Sequence, residues 1–152
     1  MLEILTKSLE DFTAGRWDGV KAVTADNVIY EEPTGRVEGA DKYLAILQGW
    51  RRAFPDVKCK VLGGFASGEH VVAEVEWTGT HTGSLETPFG IIQATNKRVS
   101  EKACLVAVVR DGKICEQRHY FDMFALLMQL GLTPGLAATQ AGAKPTAAAP
   151  TA

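Results

Sequence analysis

The sequence predicts an α+β fold in which helices pack on one face of a curved antiparallel sheet. Helical patterns occupy the first part of the chain, strand patterns follow without alternation, and a short apolar helix closes the ordered part. Two connections between predicted strands, Ser67-Gly68-Glu69 and Asp111-Gly112, are short enough to be hairpins. The strands that they join should therefore run antiparallel.

Three helices are predicted in the N-terminal part of the chain. Residues 3–14 place their apolar side chains on one stripe, and Gly15 ends this helix. A shorter segment, 18–24, has a weaker helical pattern. The third helix begins at Asp41 and ends before Pro55, which cannot continue a helix.

The strands are predicted from runs of β-branched and aromatic residues between turn signals. They cover residues 27–31, 57–65, 70–82, 97–110 and 113–121. A short apolar helix follows Asp122 and ends at Gly131. Residues 1–133 should form a single domain, and residues 134–152, rich in Ala, Thr, Pro and Gly, should form a mobile tail.

Composition limits the classes of function. The 152 residues are 46% hydrophobic and 22% charged, which is typical of a soluble globular protein, and the net charge of −2 argues against nucleic-acid and anionic-membrane surfaces. The chain has neither an apolar run of roughly 18 residues nor a signal-peptide pattern, so a cytoplasmic location is expected. Cys59, Cys104 and Cys115 should be free, buried thiols. Metal-ligand spacings are missing, and no metal or cofactor is expected.

The alternation of side chains between the two faces of a strand locates a first candidate site residue. In the predicted strand 70–82 the odd positions are apolar as far as Trp77, and the even positions are mostly polar. His81 is an odd-numbered residue like the apolar ones, so its imidazole should lie at the end of the buried face, where Gly79 and Gly83 leave open volume. The alternative is a histidine at the edge of the core that hydrogen-bonds a backbone carbonyl.

The predicted strand 113–121 has polar residues on both faces, since neither its even-numbered nor its odd-numbered residues are all apolar. The even-numbered residues, which share one face, include Glu116, Arg118 and Tyr120, and Asp122 follows in the same series. This set could line a cavity that holds a polar substrate, with the arginine neutralising part of the acid. The alternative is an oligomer interface or mutual salt bridges.

Asp122 ends this strand, an unusual position for a charge beside aromatic residues. If that end of the sheet is covered, the carboxylate is costly to bury, and burial would raise its pKa towards the working range of an acid–base group. His81 could then polarise a carbonyl. His119 has the opposite parity to Asp122 and ranks below His81 unless a bulge intervenes. Such a pair could cyclise, isomerise, dehydrate or open an epoxide.

Five segments have an informative order and spacing: Tyr30-Glu-Glu-Pro33, Phe54-Pro-Asp-Val57, Trp77-Thr-Gly-Thr-His81-Thr-Gly83, Thr95-Asn-Lys-Arg-Val99 and Tyr120-Phe-Asp122. Over residues 3–132 the chain resembles the SnoaL-like polyketide cyclases of the nuclear-transport-factor-two-like superfamily. The resemblance implies a cone-shaped fold, in which helices cap a strongly curved sheet around a deep pocket. It also implies homodimers paired through the sheets.

In the cyclases that this chain resembles, an aspartate at the position of Asp122 is the acid–base group of an intramolecular aldol closure. The resemblance carries that role to Asp122 and a pocket-lining role to His81. The substrate-binding residues expected beside them are Tyr30, Trp50, Trp77, Phe89, Glu116, Arg118 and Tyr120. The chain departs from the cyclases at Leu105–Val109, where apolar residues replace polar ones, and in the atypical loop 84–94.

The leading hypothesis is a cofactor-independent enzyme that performs acid–base chemistry, an aldol cyclisation or an isomerisation, on a hydrophobic carbonyl or ester molecule. Under this hypothesis Asp122→Asn keeps the fold and abolishes turnover. The alternative is a non-catalytic small-molecule-binding or dimerisation module, because this fold hosts many unrelated functions. A third possibility, an epoxide hydrolase or dehydratase, would need further inward-facing groups such as Glu32 and Glu116.

Overall fold

The structure, a computed structural model, describes residues 1–88 and 90–132. The helices in this part are α1 (Leu2–Ala14), α2 (Trp17–Ala22), α3 (Ala40–Ala53) and α4 (Met123–Gln129). The strands are β1 (Thr24–Glu32), β2 (Gly35–Glu38), β3 (Lys58–Ser67), β4 (His70–Thr80), β5 (Leu85–Thr87), β6 (Gly90–Ile92), β7 (Arg98–Arg110) and β8 (Lys113–Phe121). The predicted tail, 134–152, lies outside the described residues.

The helices α1 and α3 and the four long strands β3, β4, β7 and β8 confirm the sequence-based elements to within a few residues. Gly15 ends α1 in the left-handed region, with a φ of 70°, and its N–H donates to the carbonyl of Phe12. Three short strands, β2, β5 and β6, were not predicted. They have three or four residues each, too few to show a clear alternation.

The main sheet has the strand order β2-β1-β8-β7-β4-β3, and a separate hairpin pairs β5 with β6. The sheet is curved and is not closed. Neighbours run antiparallel except for β1 and β8, which pair in parallel. The predicted α+β class with a curved sheet is confirmed, although the sheet is mixed and not antiparallel throughout. A parallel pair needs a long crossover, and here most of the domain separates the two strands.

The core lies between the helices and the inner face of the sheet. Side chains from α1, α3, β1, β4, β7 and β8 form the main hydrophobic cluster. The odd positions of β4 are buried as predicted, and Val71, Ala73 and Val75 are fully buried. A second cluster joins the end of α3 to α4 and includes Phe54, Leu126 and Leu130.

A β-bulge early in β8 decides which side chains face inward. Val108 of β7 pairs with Glu116, but the next residue, Val109, pairs with Ile114. The extra residue allows both Ile114 and Gln117 to be buried, although they have opposite parity. Beyond the bulge, therefore, the odd residues of β8 face the core.

The three cysteines carry free thiols and are half-buried in strands rather than fully buried. Within residues 1–88 and 90–132, no helix has the length and apolar character to span a membrane.

Candidate functional site

A cavity lies between α1, α3 and the inner face of the sheet. Its volume is about 90 Å³, several times the roughly 10–15 Å³ that one water molecule needs. Aromatic and aliphatic side chains form most of its wall. The polar residues that line it are Ser8, Tyr30, Tyr43, Thr78, Glu101, Gln117 and His119.

Glu101 is the only residue with a carboxyl group among the described residues that line this cavity. One of its carboxyl oxygens accepts a hydrogen bond from the backbone N–H of Asp122 at 3.4 Å, and the other accepts from Nε2 of Gln129 at 3.1 Å. Burial raises the pKa of Glu101, and the charge of Asp122 raises it further, while the two hydrogen bonds oppose the shift.

Sequence reasoning missed Glu101, although a signal was present. It has the same parity as Val99, Ala103 and Leu105 on β7, which are all buried. Glu101 is an acid among alternating apolar residues of this strand, and that pattern predicts an inward-facing carboxyl group.

His119 also faces the cavity, at the centre of a chain of hydrogen bonds. The indole N–H of Trp77 donates to Nε2 of His119 at 3.1 Å. Burial lowers the pKa of His119 to about 4, so the ring is neutral at pH 7 and carries its proton on Nδ1. That nitrogen lies 3.4 Å from the hydroxyl oxygen of Tyr30. Both ring nitrogens therefore have partners within the protein.

The chain of hydrogen bonds ends at Glu32, which is 7% exposed. Its carboxylate accepts from the Tyr30 hydroxyl at 3.0 Å, from the Trp50 indole N–H at 3.1 Å and from the Thr34 hydroxyl. Burial, together with the neighbouring Glu32 charge, raises the pKa of Tyr30 well above its usual value. Within the described residues no basic side chain pairs with Glu32, so neutral donors stabilise its charge. Glu32 thereby fixes the orientation of aromatic side chains that form the cavity wall.

A second polar group lies at the α1–α3 side of the cavity. The Tyr43 hydroxyl donates to Oε1 of Gln117 at 3.3 Å. Burial raises the pKa of Tyr43 to about 12. Tyr43 therefore keeps its proton at neutral pH and donates it to Gln117.

The structure places the Asp122 carboxylate in solvent and not in the cavity. Asp122 precedes α4, and one of its oxygens accepts the Ala125 N–H at 2.9 Å, as the N-cap of that helix. The expectation that this carboxylate is buried is therefore wrong. The strand ends at Phe121, and the Ala125 N–H in the first turn of α4 takes the carboxylate as its acceptor.

His81 is fully buried but does not line the cavity. Its Nδ1 accepts the Thr95 N–H at 3.3 Å, its ring stacks on Phe54, and burial lowers its pKa. The expected open volume is absent at this point, because a Cβ on Gly83 would lie 2.0 Å from the carbonyl oxygen of Arg52. His81 is thus a histidine at the edge of the core, close to the alternative interpretation, with Thr95 as its partner.

The structure does not bring Asp122 and His81 together in one cavity. Because of the bulge, Glu116, Arg118 and Tyr120 lie on the outer face of the sheet, and their expected inward direction is wrong. Tyr30, Trp50 and Trp77 do line the cavity, while Phe89 lies outside the described residues. Whether any of these residues contacts a substrate stays a prediction.

Neither of the two carboxylates expected for an epoxide hydrolase or dehydratase lines the cavity. Glu116 faces outward, and Glu32 lies behind Tyr30 and does not line the cavity. Among the described residues no group of His, Cys, Asp and Glu is arranged to hold a metal ion.

The fold and the cavity agree with the family to which the chain belongs. The family model of the SnoaL-like polyketide cyclases matches residues 3–130, so the chain is a member of that family. None of the curated proteins matches the chain.

Solved structures with the same fold come from several bacteria. A protein of Jannaschia sp. CCS1 classed with the SnoaL-like polyketide cyclases is 18% identical, with a TM-score of 0.77 over 87% of this chain and 92% of that one. IdmH of Streptomyces antibioticus, classed as a polyketide cyclase, is 21% identical, with a TM-score of 0.72 over 86% and 97%. An LEH-like epoxide hydrolase of M. tuberculosis is 23% identical, with a TM-score of 0.67 over 92% and 94%. At these identities the likeness establishes the fold alone.

Proposed function

We propose that this protein is a cofactor-independent enzyme that performs acid–base chemistry on a hydrophobic carbonyl or ester molecule, as in an aldol cyclisation or an isomerisation. The observation that carries the proposal is the Glu101 carboxyl group, which lines an otherwise mainly apolar cavity and has a raised pKa. A carboxyl group with a raised pKa on the wall of a mainly apolar cavity is a candidate acid–base group.

The proposed first step is the removal of a proton from the carbon next to a carbonyl. The ionised Glu101 takes this proton, and the resulting carboxylic acid returns it to the rearranged product. The backbone N–H of Asp122 and the amide of Gln129 each hold one oxygen of Glu101, which fixes the direction of the carboxyl group. Aldol cyclisation and isomerisation share this step, so the same groups serve either reaction.

Asp122 has a supporting role in this proposal. Its carboxylate caps α4, and its charge contributes to the raised pKa of Glu101. The family resemblance gives Asp122 the acid–base role instead. The two assignments predict opposite outcomes for the same pair of variants.

The test is the exchange of carbon-bound hydrogen for deuterium in ethyl benzoylacetate, an aryl β-keto ester, followed by proton NMR in D₂O. The wild-type protein should accelerate the exchange above the rate in buffer. Glu101→Gln, which keeps the side-chain volume but removes the acid–base group, should return the rate to that of buffer. Glu74→Gln is the matched control, since Glu74 is exposed on β4, and it should leave the rate unchanged.

Asp122→Asn separates the two assignments. Under our proposal this variant keeps part of the exchange activity, since the asparagine oxygen can still cap α4. Complete loss in Asp122→Asn, with activity retained in Glu101→Gln, would instead make Asp122 the acid–base group. No acceleration by the folded wild type would favour the non-catalytic binding module.

We also propose that two copies of the chain pair through the outer faces of their sheets. Phe65 and Tyr120 are 64% and 53% exposed, large apolar groups of a kind that a second copy could cover. Light scattering after gel filtration should give the mass of a dimer for the wild type and of a monomer for the double variant Phe65→Lys/Tyr120→Lys. A monomeric wild type would refute the pairing.

A further inference from the structure

We infer that the side-chain amide of Gln117 binds a hydrogen-bond acceptor oxygen of the ligand. The cavity would then select an apolar molecule that carries a carbonyl or ester oxygen over a hydrocarbon of the same shape. This inference rests on the proposed function in that it names the substrate group bound in the same cavity.

The first support is the position of Gln117. It follows the bulge of β8, lines the cavity, and is only 4% exposed. A polar side chain this deeply buried normally has its hydrogen bonds satisfied by the protein. The amide of Gln117 is therefore an unusual group to find on the wall of an apolar cavity.

The second support is the unused donor. The Tyr43 hydroxyl donates to Oε1 of Gln117, which leaves Nε2 and its two N–H groups. In residues 1–88 and 90–132 no side chain or carbonyl accepts a hydrogen bond from Nε2. Because Gln117 lines the cavity, these unpaired N–H groups are available to a ligand held there.

The chemistry of the donor defines its ligand. An amide N–H group is a neutral donor, so it suits a neutral acceptor such as a ketone or ester oxygen. The aromatic and aliphatic wall suits the remainder of the molecule. Donation to a carbonyl oxygen would also stabilise the negative charge that develops there when a proton is removed from the neighbouring carbon. The same hydrogen bond would therefore serve both binding and the proposed reaction.

The experiment compares acetophenone with ethylbenzene, which have the same ring and nearly the same size but differ in the carbonyl oxygen. Affinities are measured by NMR titration of the ¹⁵N-labelled full-length protein. The wild type should bind acetophenone about three- to tenfold more tightly, which corresponds to one net hydrogen bond. In Gln117→Met, which keeps the length of the side chain without its donor, this preference should disappear.

Two controls make the result specific. Gln48→Met changes a half-buried glutamine of α3 that does not line the cavity, and it should keep the preference. In the wild type, acetophenone but not ethylbenzene should shift the side-chain NH₂ resonances of Gln117. These resonances decide the question even if Gln117→Met fails to fold.

Three results would overturn the inference: an unchanged preference in Gln117→Met, no selective shift of the Gln117 NH₂ resonances, or no binding of either compound by the wild type. The outcome is separable from that of the proposed function. A preference for acetophenone without deuterium exchange would leave Gln117 as the ligand-binding group of a non-catalytic protein. Exchange without the preference would leave the chemistry at Glu101 and remove the role of Gln117.

Discussion

Replacement of Glu32 by alanine should destabilise the protein by about 2–4 kcal/mol. In the wild type this buried carboxylate accepts hydrogen bonds from the Tyr30 hydroxyl and the Trp50 indole N–H. Alanine leaves both donors without an acceptor, at roughly 1–3 kcal/mol each. The variant also no longer has to bury a charge that lacks a basic partner among the described residues, and this gain offsets part of the lost stability. The expected destabilisation therefore lies in the lower half of the range obtained by adding the costs of the two unpaired donors.

The assay is equilibrium unfolding in urea, followed by tryptophan fluorescence. With a slope of about 2 kcal/mol per molar urea, the midpoint should fall by about 1–2 M. Glu31→Ala is the matched control, since Glu31 is the preceding residue of β1 and is exposed, and it should change stability by no more than about 0.5 kcal/mol. Equal midpoints for the two variants would show that the Glu32 hydrogen bonds do not hold the cavity wall.

Two further predictions concern stability. Because burial lowers the pKa of His119 to about 4, the unfolded chain takes up a proton before the folded protein does as the pH falls from 6.5 to 4. The wild type should therefore lose about 3 kcal/mol more than His119→Gln over this interval, and equal pH dependence would contradict the assigned burial. Gly83→Ala should cost about 1–3 kcal/mol, because its Cβ meets the Arg52 carbonyl oxygen, whereas Gly63→Ala, which meets nothing within 4 Å, should be near neutral in thermal unfolding.

The sequence alone was sufficient for the elements with strong local signals. Gly15 and Pro55 correctly marked the ends of their helices. Alternation along β4 correctly assigned Val71 and Trp77 to the inner face. These features depend on neighbouring residues and on the backbone limits of glycine and proline. The parallel pairing of β1 with β8 has no such local signal, since the two strands are far apart in the chain.

The error in the inward-facing residues of β8 has a single physical cause. One extra residue at the β8 bulge exchanges the two faces of the strand, so Gln117 and His119 replace Glu116 and Arg118 on the inner face. The strand carries polar residues at both parities, so composition did not reveal the exchange. Glu101 differs in this respect, because the regular alternation along β7 would have been enough to identify it as an inward-facing acid.

The most direct test of the account is the titration of the Glu101 carboxyl group itself. The ¹³C chemical shift of its side-chain carboxyl carbon can be followed against pH in the wild type and in Asp122→Asn. The pKa of Glu101 should lie above the ordinary value of 4.5, and the rise should be smaller once the Asp122 charge is removed. A Glu101 pKa at or below 4.5 would contradict it, because the cavity would then hold an ordinary solvated carboxylate.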